Sequence, residues 1–96
     1  MRSLARNLIR DNQIHTTFAK AKALRPIVEK LVTKAKSDTV ASRRLVVSRI
    51  QGATEAKKLF ETIAPKYKTR PGGYTRIVRT PNRDLDGAEM AIIEFV

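Results

Sequence analysis

QIHTTFAKAKALRPIVEKLVTKAKS, residues 13–37, changes its repeat part-way along, and that change decides the fold. The opening QIHTTF is rich in β-branched residues and has no helical repeat, which predicts a short strand. From Phe18 onward, Leu24, Ile27, Val28, Leu31, Val32 and Ala35 recur at three- and four-residue spacing. That spacing predicts an amphipathic helix whose other side carries Lys22, Arg25, Glu29, Thr33 and Lys36. Thr16 or Thr17 can cap it by accepting an N–H from its first turn. Pro26 cannot donate to the Lys22 carbonyl, so a bend is expected there rather than a break.

Upstream, residues 2–10 read as a helix with Met1, Leu4, Ala5, Leu8 and Ile9 on one face. Arg2, Arg6 and Arg10 fall at i, i+4 and i+8 on another face, either a solvated stripe or a phosphate-contacting one. Downstream, Ser37-Asp38-Thr39 supplies turn chemistry and a new cap, and residues 40–51 form a third helix ending near Gly52. A fourth helix is expected after Thr54 as cap, with Ala56, Leu59, Phe60 and Ile63 inward and Pro65 as its terminator. Pro71-Gly72 suits the centre of a type II turn, which places Gly72 at φ > 0. YTRIVRT (74–80) and AEMAIIEFV (88–96) read as strands separated by the loop PNRDLDG. The last strand is apolar on both faces (Met90, Ile92, Ile93, Phe95), so it belongs inside the sheet. Glu89 and Glu94 are placed to pair across it with Arg76 or Arg79. The fold expected is α+β in the order α-β-α-α-α-β-β. It is a two-layer sandwich of about four helices on one face of a small three-stranded mixed sheet, a single domain over 1–96.

Charge narrows the function. Twenty Lys+Arg against nine Asp+Glu give a net +11, with a pI near 10.8. Such an excess repels itself in a compact domain and favours a polyanionic partner. No cysteine is present, which removes disulfides and thiolate metal sites, and the single histidine, His15, cannot build a metal site alone. His15 is expected to be partly buried and hydrogen-bonded. No nucleophile motif occurs, and Gly72-Gly73 is not followed by the G-K-[ST] of a phosphate loop. Asp84 and Asp86 lie where local side chain–backbone bonding accounts for aspartates as well as catalysis does. An enzyme, a cofactor and a small-molecule substrate are therefore not expected.

Basic residues concentrate at 2–10, 20–25 and 66–83, the last stretch holding six cations and no acid. In RPGGYTRIVR (70–79) the glycines let backbone N–H groups approach an anion and the arginines grip phosphate bidentately. Aromatic residues are few, so contact with folded RNA through phosphates and shape fits better than a base-stacking platform.

The stretches TTFAKAKALRPIVEKLVTKAK (16–36), RRL (43–45), KLFETIAPKYKTRPGGYTRIVRT (58–80) and the closing AEMAIIEFV resemble the bacterial-type large-subunit ribosomal protein seventeen family. The resemblance runs from about Arg2 to Val96, and APKY…RPGGYTRI is its most specific block. It implies a two-layer α/β domain that binds large-subunit rRNA on the solvent side near the polypeptide exit region, beside neighbouring ribosomal proteins, and does no chemistry. It places the protein in a ribosome, in the bacterial cytoplasm or inside a mitochondrion or chloroplast, with no homo-oligomer and no membrane partner. Carried over by motif, it implies contacts at Thr16, Thr17, Lys20 and Lys22, and at Arg70, Gly72, Gly73, Tyr74, Thr75 and Arg76. Arg43 and Arg44 in the RRL block, and Arg2, Arg6, Arg10, Arg79 and Arg83 from the basic stretches, complete the expected rRNA-binding set. Family members usually begin with a basic arm carrying a glycine-arginine-lysine-leucine type motif, which the sequence given does not include. PNRDLDG also stands where the family more often has an R-x-G-D turn.

Two other classes compete. A free-standing nucleic-acid regulator would use residues 40–63 as a helix-turn-helix, but TEAKKLFETIA offers only two basic residues and no Asn, Gln or Arg for base edges. A membrane-surface protein would use the basic amphipathic start, which lacks the Trp or Phe such helices favour.

Overall fold

Thr17 converts strand into helix. Strand β1 (Gln13–Thr17) runs without a loop into α2 (Phe18–Lys36), and the Thr17 hydroxyl accepts the Lys20 N–H at 3.3 Å. The computed structural model, which describes Met1–Val96, adds α1 (Arg2–Asp11) before this pair and α3 (Val40–Ile50) and α4 (Ala53–Lys58) after it. Strands β2 (Thr75–Thr80) and β3 (Met90–Phe95) follow. The element order is the one expected from the sequence.

The sheet order is β1-β3-β2, with β3 central and antiparallel to both neighbours. The sheet is thus wholly antiparallel rather than mixed. β3 returns from β2 through the 81–89 connection and inserts beside β1, so the two strands that share a direction never become neighbours. Ile14, Ile93 and Ile77 stand level across the three strands, as do His15, Ile92 and Val78 on the opposite face. Ala91 and Ile93 are fully buried under the helices, and Val78 is exposed on the uncovered face. One core joins the layers: Leu8 and Ile9 from α1, Leu24, Val28, Leu31 and Val32 from α2, Ile50 from α3, and Leu59 beyond α4.

Several local expectations are corrected. Gln51, not Gly52, adopts the left-handed conformation that ends α3, and its N–H bonds the Val47 carbonyl at 2.7 Å. Gly52 then serves as the N-cap of α4, so Thr54 lies inside that helix rather than capping it. A side chain at Gly52 would lie 2.6 Å from Glu55 Oε2 and 2.9 Å from Arg6 Cδ, so both flexible side chains would have to shift to admit one. Pro65 does not stop the helix. A π-helical turn (Leu59–Ile63) is followed by a 3₁₀ turn (Ala64–Tyr67) with Pro65 near its start, where the missing N–H is tolerated. Ile27 is 39% exposed although the repeat put it on the apolar face, because Ala21, Leu24, Val28, Leu31, Val32 and Ala35 already fill that face. His15 is exposed, not partly buried, and shares a 2.9 Å hydrogen bond with Thr80 Oγ1.

Candidate nucleic-acid interface

The 70–76 segment is held by a carboxylate. Glu29, on the flank of α2, accepts the N–H groups of Gly73 (3.0 Å), Tyr74 (3.3 Å) and Thr75 (2.9 Å), and the Thr75 hydroxyl at 2.9 Å. Three successive backbone donors converging on one anion form the nest expected for a phosphate, here filled by the chain's own acid. The turn is not type II. Gly72 has φ 154° and Gly73 has φ 66°, and the Gly73 N–H goes to Glu29 rather than back to Arg70. Lys36 closes the other side, its ammonium donating to the Arg70 carbonyl and, at 3.0 Å, to the Tyr74 hydroxyl. That hydrogen bond, with the ammonium's charge, draws the Tyr74 phenol below its ordinary pKa.

Tyr74 and Thr75 are therefore scaffold. Tyr74 is 1% exposed with its ring centroid 5.2 Å from that of Tyr67, and Thr75 is 2% exposed. Burial pushes the Tyr67 phenol above its usual value, and its hydroxyl donates to the Val96 carbonyl. Arg76 pairs with Glu94 across the sheet, the structural alternative foreseen for it. Glu89 forms no ion pair, though its carbonyl accepts the Phe18 N–H at 2.8 Å. Arg70 keeps an exposed, unpaired guanidinium beside exposed Gly73 and half-buried Gly72.

A second group assembles around Phe18, where β1 meets α2. Lys22 Nζ lies 5.5 Å and Arg79 Cζ 4.0 Å from the centroid of the half-buried Phe18 ring. The ring attracts each cation by about 0.5–1 kcal/mol, yet the two cations repel each other and neither has a carboxylate partner. Lys20 is exposed two residues earlier, on a different side of the helix, Thr17 is occupied as the helix cap, and Thr16 is 9% exposed. The fold thus brings Lys22 of one basic stretch to the same ring as Arg79 of another.

The α1 stripe divides. Arg2 is free and exposed. Arg6 turns inward and donates to the carbonyls of Ile50 (3.1 Å) and Gln51 (3.2 Å), capping the end of α3. Arg10 lies against Asp11, whose hydrogen bond raises the guanidinium pKa. Arg43 pairs with Asp38 at 2.8 Å and lies over Phe60, whereas Arg44 is unpaired. Arg83 binds Asp86 at 2.9 Å within the 81–88 loop. There Asp86 also accepts the Ala88 N–H, the local bonding expected of this loop, and Arg83 with that N–H lowers its carboxyl to about 2.

Glu29 is the residue that the sequence pattern misassigned, as one more solvated position. One signal was present: it is the only acid between Asp11 and Asp38. The pair α3–α4 makes a poor helix-turn-helix, because α4 is short, begins with Glu55 in its first turn, and commits Lys58 to the Arg10 carbonyl. No helix is long and apolar enough to cross a membrane.

Comparison with known proteins places these features in context. A family model described as "Ribosomal protein L17" matches residues 1–96. A protein of Gemmatimonas aurantiaca named "Large ribosomal subunit protein bL17" is 52% identical over 96 residues, covering 100% of this chain and 81% of its own length. A protein of the same name from a Sulfurihydrogenibium species is 55% identical over 95 residues, covering 98% of this chain and 78% of its own. Another from Mycoplasmopsis pulmonis is 48% identical over 102 residues, covering 100% and 85%.

Proposed function

Because the chain belongs to the ribosomal protein L17 family, we propose that it is a non-enzymatic structural component of the large ribosomal subunit and works by binding that subunit's rRNA. Its contacts are those cations of the expected set that the fold leaves without internal partners: Lys22 and Arg79 at Phe18, Lys20 near the start of the same helix, Arg70 beside the Gly72-Gly73 turn, and Arg2 and Arg44 on the outer helices. The observation that carries this assignment is the Lys22–Phe18–Arg79 cluster, two like charges packed on one ring with no acid to neutralise them. A phosphate between them relieves the repulsion and gains a bidentate arginine contact. Arg6, Arg10, Arg43, Arg76 and Arg83 of the expected set serve chiefly within the chain, and Thr17, Tyr74 and Thr75 hold the backbone that presents the others, while Thr16 is buried in β1. The location near the polypeptide exit region, beside other ribosomal proteins, rests on the sequence resemblance.

Cosedimentation tests the reading. The protein is expected to travel with large subunits and to be released steeply by salt. For about six neutralised phosphates, log K falls against log[salt] with a slope of about −4 to −5. A protein that stays at the top of the gradient, or a slope shallower than about −2, rejects it.

A further inference from the structure

Helices α1, α2 and α3 leave a furrow at the surface made of two adjoining hollows. One, of about 410 Å³, lies beside the start of α1, and the other, of about 490 Å³, beside the Pro71–Tyr74 segment. Lys30, Leu31 and Arg49 line both hollows, Arg2 rims the first and Lys34 the second. All four cations are exposed, and none has a carboxylate partner. Glu29 is the one acid that reaches the furrow, and its two oxygens are fully engaged by residues 73–75. Ile27, the residue missing from the core, stands in the wall of this furrow.

We infer that the furrow is a track for a single strand of RNA, a second contact surface separate from the Phe18 cluster. The inference rests on the rRNA-binding role proposed above. Lys30 and Lys34 stand one helical turn, about 6 Å, apart along α2, on the order of one nucleotide step of an extended strand, with Arg49 facing them from α3. Helices packed with axes about 8–10 Å apart leave a trough one chain wide, too narrow to admit a duplex. The aliphatic wall offers exposed Ile27 and half-buried Leu45 to sugar and base faces, while the cations take the phosphates. A row of unpaired cations over a shallow floor suits a regularly charged strand better than a protein segment, whose binding concentrates on a few deep anchors.

The test compares the full-length double variant Lys30→Gln/Arg49→Gln with Lys57→Gln/Lys66→Gln, which removes the same charge outside the furrow. Each is titrated with a fluorescent oligouridylate, with a glutamate homopolymer of similar length, and with large-subunit rRNA. Melting curves of both variants are expected to match wild type, because all four side chains are exposed. Each lost single-strand phosphate contact removes about 0.7 from the salt slope, so the furrow variant should bind oligouridylate about 25-fold more weakly at 0.1 M salt. The control pair should stay within about threefold of wild type. If the two pairs bind oligouridylate alike while wild type binds large-subunit rRNA normally, the track is refuted and the parent function stands. If the furrow variant loses only the glutamate polymer, the furrow takes an acidic protein segment and the inference is equally refuted. A wild-type chain that does not bind large-subunit rRNA overturns the parent function, and the track with it.

Discussion

Replacing Glu29 with alanine should unfold the 70–76 segment before it disturbs anything else. The carboxylate takes four hydrogen bonds, two of them from the part-buried N–H groups of Tyr74 and Thr75 at 3.3 and 2.9 Å. Water can reach the exposed Gly73 N–H, so its loss is largely compensated. A buried donor left without a partner costs about 1–3 kcal/mol, and two of them give about 2–6 kcal/mol for Glu29→Ala. For a domain of this size each kcal/mol lowers Tm by about 4–8 °C, so a fall of at least about 8 °C, and up to about 50 °C, is expected. Glu29→Gln keeps the shape and one acceptor oxygen but turns an NH₂ towards the nest, and should lie between wild type and alanine. Calorimetry supplies Tm, and amide hydrogen exchange at Tyr74 and Thr75 locates the damage, since those two amides should lose protection first. A Glu29→Ala protein that melts within about 2 °C of wild type, with both amides still protected, would refute the assignment of this carboxylate as the anchor of the segment.

Gly73 sits at φ 66° with open space where a Cβ would go, so Gly73→Ala should cost about 1–2 kcal/mol through backbone strain alone. Gly73→Asn should recover part of that loss, and equal melting of all three proteins would contradict the conformation. Arg6→Ala removes the donor to the Ile50 and Gln51 carbonyls and should destabilise by about 1–2 kcal/mol in urea unfolding, whereas Arg2→Ala should change stability by less than about 0.5 kcal/mol. The reverse ranking would place Arg6, not Arg2, on the outer face. The Asp86 carboxyl should titrate near 2 in the folded protein, because Arg83 and the Ala88 N–H stabilise its charged form. Its folded pKa is depressed, so the stability it contributes is present above the ordinary value of 3.8 and is lost as pH falls towards 2. A carbon-detected NMR midpoint near 3.8 would show that the Arg83 pair does not persist in solution.

Local order was legible in the sequence wherever a single segment carried its own signal. The period change at Thr17-Phe18 marked the strand–helix junction, and the apolar run Met90–Ile93 marked the central strand, whose outer-face residues Met90 and Ile92 are half-buried between flanking strands. Joints between helices were less legible. Thr54 resembles a cap, but the left-handed Gln51 starts the next helix two residues earlier. Pro65 resembles a stop, but a π-helical turn leads into a 3₁₀ turn that accepts Pro65 near its start. The site failed for a different reason. Glu29 meets Gly73–Thr75 across 44 to 46 residues, and Arg6 reaches Ile50 across 44. No periodicity encodes such pairings. The sequence therefore identified a basic surface, while the division between structural and free cations emerged only once distant segments were packed together.

That division is tested most directly by lysine acylation of the protein alone and within intact large subunits, read by mass spectrometry at each lysine. Lys36 bonds the Arg70 carbonyl and Tyr74 hydroxyl, and Lys58 the Arg10 carbonyl, so both should be slow in the free protein and change little on assembly. Lys20 and Lys22 are exposed and unpaired, and should react readily in the free protein but become protected in the subunit. Equal reactivity of Lys20 and Lys22 in the two states would contradict the claim that the cations left free by the fold are the ones that hold the rRNA.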